Sequence, residues 1–423
     1  MITKIGKDES LDSAVEDFDG RGLLILPGPI DAHVHLRDQG LSYKEDFTSG
    51  TAAAACGGIT TVLDMPNNEP LTAGPESLRK RMEVAYGRIY VNVGFYSAFP
   101  EASEGSRVAE VVRSTVEEGA IAFKLFLSQQ LGGINIDDDE ELIRAFQAAA
   151  DAGVPVAVHA EDRKELMRAH NASKSFSVFS PRLQHILRKA EMKAIDRAIS
   201  LAAKTNVHLH ICHVSTEGGL RSILKARKEG RRISCEVTPH HMLLSADMAK
   251  RLGSLSKVAP PLRPARDARF LRKALGEGLV DIVASDHAPH ALSEKLCLSM
   301  EEAKTGFPGL EILLPLLLTE VAKGRLTIPQ LVQLTSTRPA SIFNLHGFGV
   351  LREGAPANLV VVDLKREGRI DPSCFKSKAH YSPFQGRRTI GKPVITIVNG
   401  SIVMRDGEIV SNPGIGKILG KRR

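Results

Sequence analysis

The densest chemical signal in the chain is Asp31-Ala-His33-Val-His35-Leu-Arg37, which follows directly on Ile30. Residues two apart in a strand point to the same face, so His33 and His35 can hold one cation together. A His-x-His pair also arises from packing alone, and this one gains meaning from what lies downstream. His159 in Val-His-Ala-Glu161, His213 in Cys-His-Val-Ser, and Asp286 in Ser-Asp-His-Ala-Pro-His290 each close an apolar run. Imidazole and carboxylate are ligand types of borderline cations such as zinc. Should the runs be strands of one closed sheet, these residues meet at one end of it.

Lys124 lies inside another apolar run, Ala-Phe-Lys-Leu-Phe-Leu. A buried ammonium needs a counter-charge, a route for its head to water, or a change of charge. Carboxylation by CO2 is such a change, because the resulting carbamate is anionic and able to bridge two metals. Two cations held by histidines, a carboxylate and a carbamate would lower the pKa of a shared water toward neutrality and make it a nucleophile for a carbonyl. Asp286, ligand and neighbour of that water, is placed to take its proton and pass it to a leaving nitrogen.

The elements that must carry these groups alternate. Strands are predicted near Ile30–His35, Ile59–Met65, Tyr90–Ser97, Ala120–Leu127, Val154–His159, Val207–Val214, Ile233–Val237 and Val280–Ser285. Amphipathic segments fall between them, including Glu45–Cys56, Glu76–Tyr86, Ala109–Glu118, Asp139–Ala152, Glu191–Thr205, Gly218–Lys228 and Asp267–Gly276. Near-continuous apolar strands separated by helices imply a parallel sheet covered on both faces, and a closed α/β barrel of the (β/α)8 TIM type is the economical form. The ends read differently, with short strand signals such as Asn358-Leu-Val-Val-Val-Asp and Val394-Ile-Thr-Ile-Val-Asn between glycine turns. Residues 1–28 and 346–423 are therefore expected to build one small β-sandwich beside a hydrolase barrel over 29–345.

A length of 423 residues with 43% hydrophobic content supports a large core plus an accessory unit. No stretch approaches a membrane span and the start lacks the apolar core of a signal peptide, so a cytoplasmic protein is expected. The five cysteines are widely spaced with no C-x-x-C, which argues against a disulfide framework and a thiolate zinc knuckle. The net charge of +7 is modest, and its basic runs, Arg221 to Arg232 and the Gly-Lys-Arg-Arg tail, read as a solvated helix face and a tail, not a nucleic-acid surface. It favours a small anionic substrate.

These motifs resemble the amidohydrolase superfamily and, within it, the dihydroorotase family with a carboxylated lysine. The likeness rests on Pro27-Gly-Pro-Ile-Asp-Ala-His-Val-His-Leu-Arg, Gly57-Gly-Ile-Thr-Thr-Val-Leu-Asp-Met-Pro-Asn-Asn, Phe123-Lys-Leu-Phe-Leu, Val158-His-Ala-Glu, Cys212-His-Val-Ser, Glu236-Val-Thr-Pro-His-His and Ser285-Asp-His-Ala-Pro-His. It implies His33, His35 and Asp286 on one zinc, His159 and His213 on a second, and N-carboxylated Lys124 bridging both. It further implies that Arg37, Asn67 and His290 hold the carboxylate of L-dihydroorotate, which the family interconverts with N-carbamoyl-L-aspartate in pyrimidine biosynthesis. Arg37 could do so with two parallel hydrogen bonds. One departure is Ala259 in Ser256-Lys-Val-Ala-Pro-Pro, where many relatives carry Asn. The segment from Gly306 to Glu311 resembles a loop that meets the ring amides, and residues 128–133 read equally as a lid or an ordinary loop. Homo-oligomers and association with aspartate transcarbamoylase are compatible with the family. The alternatives are an allantoinase or hydantoinase, which binds a ring with no equivalent carboxylate, and a non-catalytic scaffold relative. Arg37 and Asn67 favour dihydroorotase, and no expected metal ligand is missing.

Overall fold

A computed structural model of the chain describes residues 1–7, 17–100, 108–175, 177, 179–296 and 300–420. Cys297, residues 8–16 of the N-terminal segment and the Lys-Arg-Arg end of the basic tail lie outside the described residues. β1 (Leu24–Pro27) belongs to a small sheet. Eight parallel strands then follow in sequence order: β2 (Ile30–Val34), β3 (Thr61–Asp64), β4 (Asn92–Ala98), β5 (Ala120–Phe126), β6 (Val156–His159), β7 (Leu209–Ile211), β8 (Ile233–Val237) and β9 (Ile282–Val283). A parallel bridge between Val34 and His287, with the His35 amide donating to the His287 carbonyl at 2.8 Å, brings the last strand back to the first. This is the expected barrel.

Alternation along the strands sorts the apolar side chains. Ile30, Ala32, Leu63, Ala122 and Ala157 pack in one buried cluster inside the barrel, whereas Val62, Val93, Phe95 and Leu125 pack in the larger cluster shared with the helices. The helix Phe47–Cys56 begins at Asp46, whose carboxylate accepts the Ser49 amide at 2.7 Å, a capping arrangement that ends the turn carrying Arg37. The helix Leu310–Ala322 escaped the periodicity reading because it is apolar almost all round and holds Pro315. Its sequence lacks a polar stripe because it is covered on both sides, by the helix Phe47–Cys56 and by the small sheet.

That sheet joins both chain ends as expected. β10 (Leu359–Arg369), β11 (Arg388–Val398), β12 (Ser401–Arg405) and β13 (Glu408–Ile409) follow β1 in the antiparallel order β1-β10-β11-β12-β13. Val360, Val362, Val398, Val403 and Met404 face the barrel core, while Val361, Val394 and Ile395 form a separate cluster on the other face. The layer opposite this five-stranded sheet is helical.

Close packing between the helices Phe47–Cys56 and Leu310–Ala322 is exact enough to test. A Cβ added at Gly57, which ends the helix Phe47–Cys56, would lie 2.2 Å from the Leu310 carbonyl oxygen. Backbone cannot yield as a side chain does. Gly57→Ala is expected to cost about 1–3 kcal/mol, read as a lower urea midpoint at unchanged slope.

Candidate active site

The C-terminal ends of the barrel strands bring His33, His35, Lys124, His159, His213 and Asp286 to one end of the barrel, all of them buried. All but Lys124, together with Arg37, Asn67 and His290, line one cavity of about 380 Å³. His33 Nε2 and His35 Nε2 lie 3.4 and 3.3 Å from the same oxygen, Asp286 Oδ1. The His213 ring centroid lies 5.1 Å from that of His33 and 4.7 Å from that of His159. His159 Nδ1 and His213 Nε2 are 3.0 Å apart.

Each of the first two imidazoles is held from behind. His33 Nδ1 meets Glu236 Oε1 in a very short contact, and His35 Nδ1 meets Asn67 Oδ1 at 2.7 Å. Both acceptors require N–H at Nδ1, which leaves an Nε2 lone pair facing Asp286. Burial pushes His33 down to about 4, with the Lys124 charge adding to it, and burial holds His35 and His213 well below the ordinary imidazole range. The rings are therefore neutral at pH 7, the state in which imidazole binds metal. Burial would raise the Glu236 carboxyl, but His33 and His210 reverse this and hold it well below the usual carboxylate range. Burial raises the Asp286 carboxyl, opposed by His33 and Lys124.

Backbone strain accompanies this convergence. Arg37 (φ 62°), His213 (φ 34°) and Asp286 (φ 49°) all adopt left-handed conformations. Such residues cost about 1–3 kcal/mol each and persist only where surrounding contacts dictate them. For His213 that contact is its own amide donating to Glu236 Oε1 at 3.1 Å. His159 Nε2 lies 3.0 Å from Glu161 Oε2, and Glu161 in turn lies 3.7 Å from the buried Arg263.

The cavity also has a cationic wall. Arg37 donates from Nε to the Pro289 carbonyl at 3.2 Å, and its Nη2 lies 3.3 Å from His290 Nε2. Lys44, absent from the sequence reading, lies 3.2 Å from His290 Nδ1 and 3.0 Å from Glu294. Ammonium and guanidinium only donate, so Lys44 calls for a lone pair at Nδ1 and Arg37 for one at Nε2, while the Thr305 carbonyl, 3.0 Å from Nε2, calls for a proton there. Burial, with Arg37 and Lys44 beside it, pushes His290 down to about 3. Ala259 and Gly306 line the same cavity, as do Ser128 and Gln129. The loop after Ser128 is anchored: Gln130 donates to the Gly132 carbonyl at 3.0 Å and Gly133 donates to the Phe99 carbonyl at 3.2 Å.

Lys124 lies 1% exposed in β5. Its ammonium contacts the Cys212 sulfur at 3.0 Å and sits 5.0 Å from the centre of the Phe126 ring, and no carboxylate pairs with it among the described residues. Burial pushes the Cys212 thiol up to about 12, so the sulfur is no counter-ion.

The model of the amidohydrolase family matches residues 24–403. The chain belongs to the amidohydrolase family. The dihydroorotase of Methanothermobacter thermautotrophicus is 38% identical over 403 residues, covering 95% of this chain and 89% of that one. The dihydroorotase of Bacillus cytotoxicus is 37% identical, covering 95% and 92%. Among solved structures, the L-hydantoinase (dihydropyrimidinase) from Arthrobacter aurescens superposes with a TM-score of 0.92 at 31% identity, covering 99% of this chain and 93% of that one.

For this amidohydrolase the donor set fits a metal cofactor. His33, His35 and Asp286 each offer one ligand atom, all within 4.8 Å of one another. His213 Nδ1 is buried with no hydrogen-bond partner, an expensive state that a cation would relieve. Among the described residues no helix is long and apolar enough to cross a membrane. Glu236 had a legible signal that the sequence reading passed over: a carboxylate inside the apolar strand Ile-Ser-Cys-Glu-Val, the same anomaly that marked Lys124. Lys44 had none, since its partners come from a segment 246 residues away.

Glu236 holds the ring orientation of His33. Glu236→Gln is expected to weaken metal binding by about 10–100-fold with the fold intact, measured by chelator competition alongside circular dichroism.

Proposed function

We propose that this amidohydrolase is a dihydroorotase, a cyclic amide hydrolase that interconverts L-dihydroorotate and N-carbamoyl-L-aspartate. The observation that carries this reading is Arg37. Its guanidinium is buried in the cavity wall, and no carboxylate forms an ion pair with it among the described residues. A buried unpaired cation is costly unless a ligand supplies the anion. Dihydroorotate carries a carboxylate on its ring, whereas the hydantoin and allantoin rings have no equivalent. The dihydroorotase relatives match nearly the whole chain at higher identity than the hydantoinase structures do.

On this reading His33, His35 and Asp286 would hold one zinc and His159 and His213 a second, with carboxylated Lys124 as a further ligand. Two bound cations would supply an activated water and polarise the scissile carbonyl. The chain's own groups do the rest. Arg37 grips the substrate carboxylate through a planar fork, with Asn67 as a further donor and His290 beside it in the same wall. Asn67 keeps its amide nitrogen for this, because its oxygen is taken by His35. Asp286 accepts the proton of the attacking water and delivers it to the ring nitrogen as the amide bond breaks. Ring closure runs the same path backwards. Lys124 reacts as the neutral amine: its nitrogen adds to the carbon of CO2 and releases one proton, leaving a carbamate of charge −1. The unsatisfied setting of the ammonium against a thiol and an aromatic face supports that conversion.

Turnover of dihydroorotate, hydantoin and allantoin by the purified, zinc-loaded protein tests the substrate. Efficient hydrolysis of hydantoin with none of dihydroorotate would overturn the proposal. Arg37→Lys keeps the charge but loses the fork, and should lower kcat/KM for dihydroorotate by roughly 10–100-fold at unchanged metal content. Lys124→Ala should remove the bimetal site and most activity while the protein stays folded, with partial recovery on adding a short carboxylic acid. Mass spectrometry or a metal-loaded crystal structure showing Lys124 unmodified in active enzyme would refute the carbamate.

A further inference from the structure

Beneath the cavity, a polar ladder runs through the barrel interior that the catalytic reading does not use. Such interiors are normally filled by branched apolar side chains. Here His208 and His210, on the same face as Cys212, stand beside Ser234 and Glu236 of the neighbouring strand. His208 Nε2 lies 2.9 Å from Ser234 Oγ, and that oxygen lies 2.9 Å from His210 Nδ1. His210 Nε2 lies 3.2 Å from Glu236 Oε2, whose other oxygen meets His33 Nδ1. His210 and Glu236 are fully buried.

With His210 neutral, one arrangement of protons satisfies every contact. A carboxylate accepts, so His210 carries its proton on Nε2 and His33 on Nδ1. A neutral His210 then accepts at Nδ1, which Ser234 must fill as donor. The Ser234 oxygen in turn receives the Nε2–H of His208. Every donor along the ladder points toward Glu236, an alignment in which each bond polarises the next. Reversing His210 would aim a lone pair at the carboxylate.

We propose that His210 is a positioning residue for the metal site: with Ser234 behind it, it fixes Glu236, and through Glu236 it locks His33 as the Nδ1–H tautomer. The proposal rests on the reading of His33 as a metal ligand. His210 reaches no substrate; it acts two contacts away from the cavity, from beneath it in the barrel interior. The lock means that His33 presents its Nε2 lone pair before any metal arrives.

The test is zinc affinity by chelator competition, together with 15N-histidine NMR of the zinc-loaded protein. His210→Leu removes the donor to Glu236 and should weaken zinc about 10-fold, whereas His210→Gln, whose amide nitrogen sits near the position of Nε2, should stay within about twofold of the parent. The parent should show Nε2–H on His210 and His208 and Nδ1–H on His33. Equal affinity in both variants and the parent, equal loss in both variants, or an Nδ1–H signal on His210 would overturn the proposal. Ser234→Ala leaves the Glu236 contact in place and covers the case in which His210→Leu fails to fold. It should leave Nε2–H on His210, held by Glu236, while His208 loses its acceptor and with it its single tautomer; an Nδ1–H signal on His210 or an unchanged His208 there would count against the ladder. His33→Ala separates the two readings: parental zinc affinity in that variant would remove His33 from the ligand set, while a loss there with none in His210→Leu would remove the ladder alone.

Discussion

Everything at the catalytic end depends on the seam where the last barrel strand meets the first. Asp31, fully buried in β2, accepts the Ser285 amide at 3.0 Å and the His33 amide at 3.3 Å, and the His35 amide donates to His287 across the same seam. Without that closure His33 and His35 have no Asp286 opposite them. Burial in this seam pushes the Asp31 carboxyl up to about 7 despite those amide donors. The closing strand itself is short, so side-chain and backbone contacts past its end carry the registration.

The small sheet takes part in this closure. Its long connection between β10 and β11 returns to the barrel mouth, where Ser377 donates to buried Glu45 and Tyr381 accepts the His290 amide at 3.2 Å. Glu45 lies 3.4 Å from the His287 ring, whose other nitrogen accepts the Gly309 amide at 3.1 Å. The C-terminal part of the chain thus braces the loops after the first and last barrel strands, the same loops that carry Arg37 and His290. A fold with a peripheral sheet uses it to stiffen its site.

Electrostatically the cavity divides in two. One side gathers imidazoles kept neutral by burial around a buried carboxylate, the other gathers Arg37, Lys44 and a neutral His290. The first arrangement suits a cation and the second an anion. A substrate with a carboxylate at one end and a cyclic amide at the other spans both, and this polarity separates the site from one built for an uncharged ring.

The sequence by itself determined the barrel, the both-ended sheet, and the positions of His33, His35, Lys124, His159, His213 and Asp286 at or near strand ends. Those readings rest on periodicity and on anomalies, a polar residue closing or interrupting an apolar run, and both are local. Helix Leu310–Ala322 was invisible because burial on both sides erases the stripe that periodicity needs. Glu236, Lys44, Glu161 and the ladder from His208 to His33 became meaningful only in three dimensions. Their roles are defined by partners tens to hundreds of residues away, as in Lys44 with His290, 246 residues on, and His33 with Glu236, 203 residues on. Which nitrogen of each histidine carries the proton was likewise decided by tertiary structure alone, because a tautomer follows from the partner across the gap and no residue type encodes it.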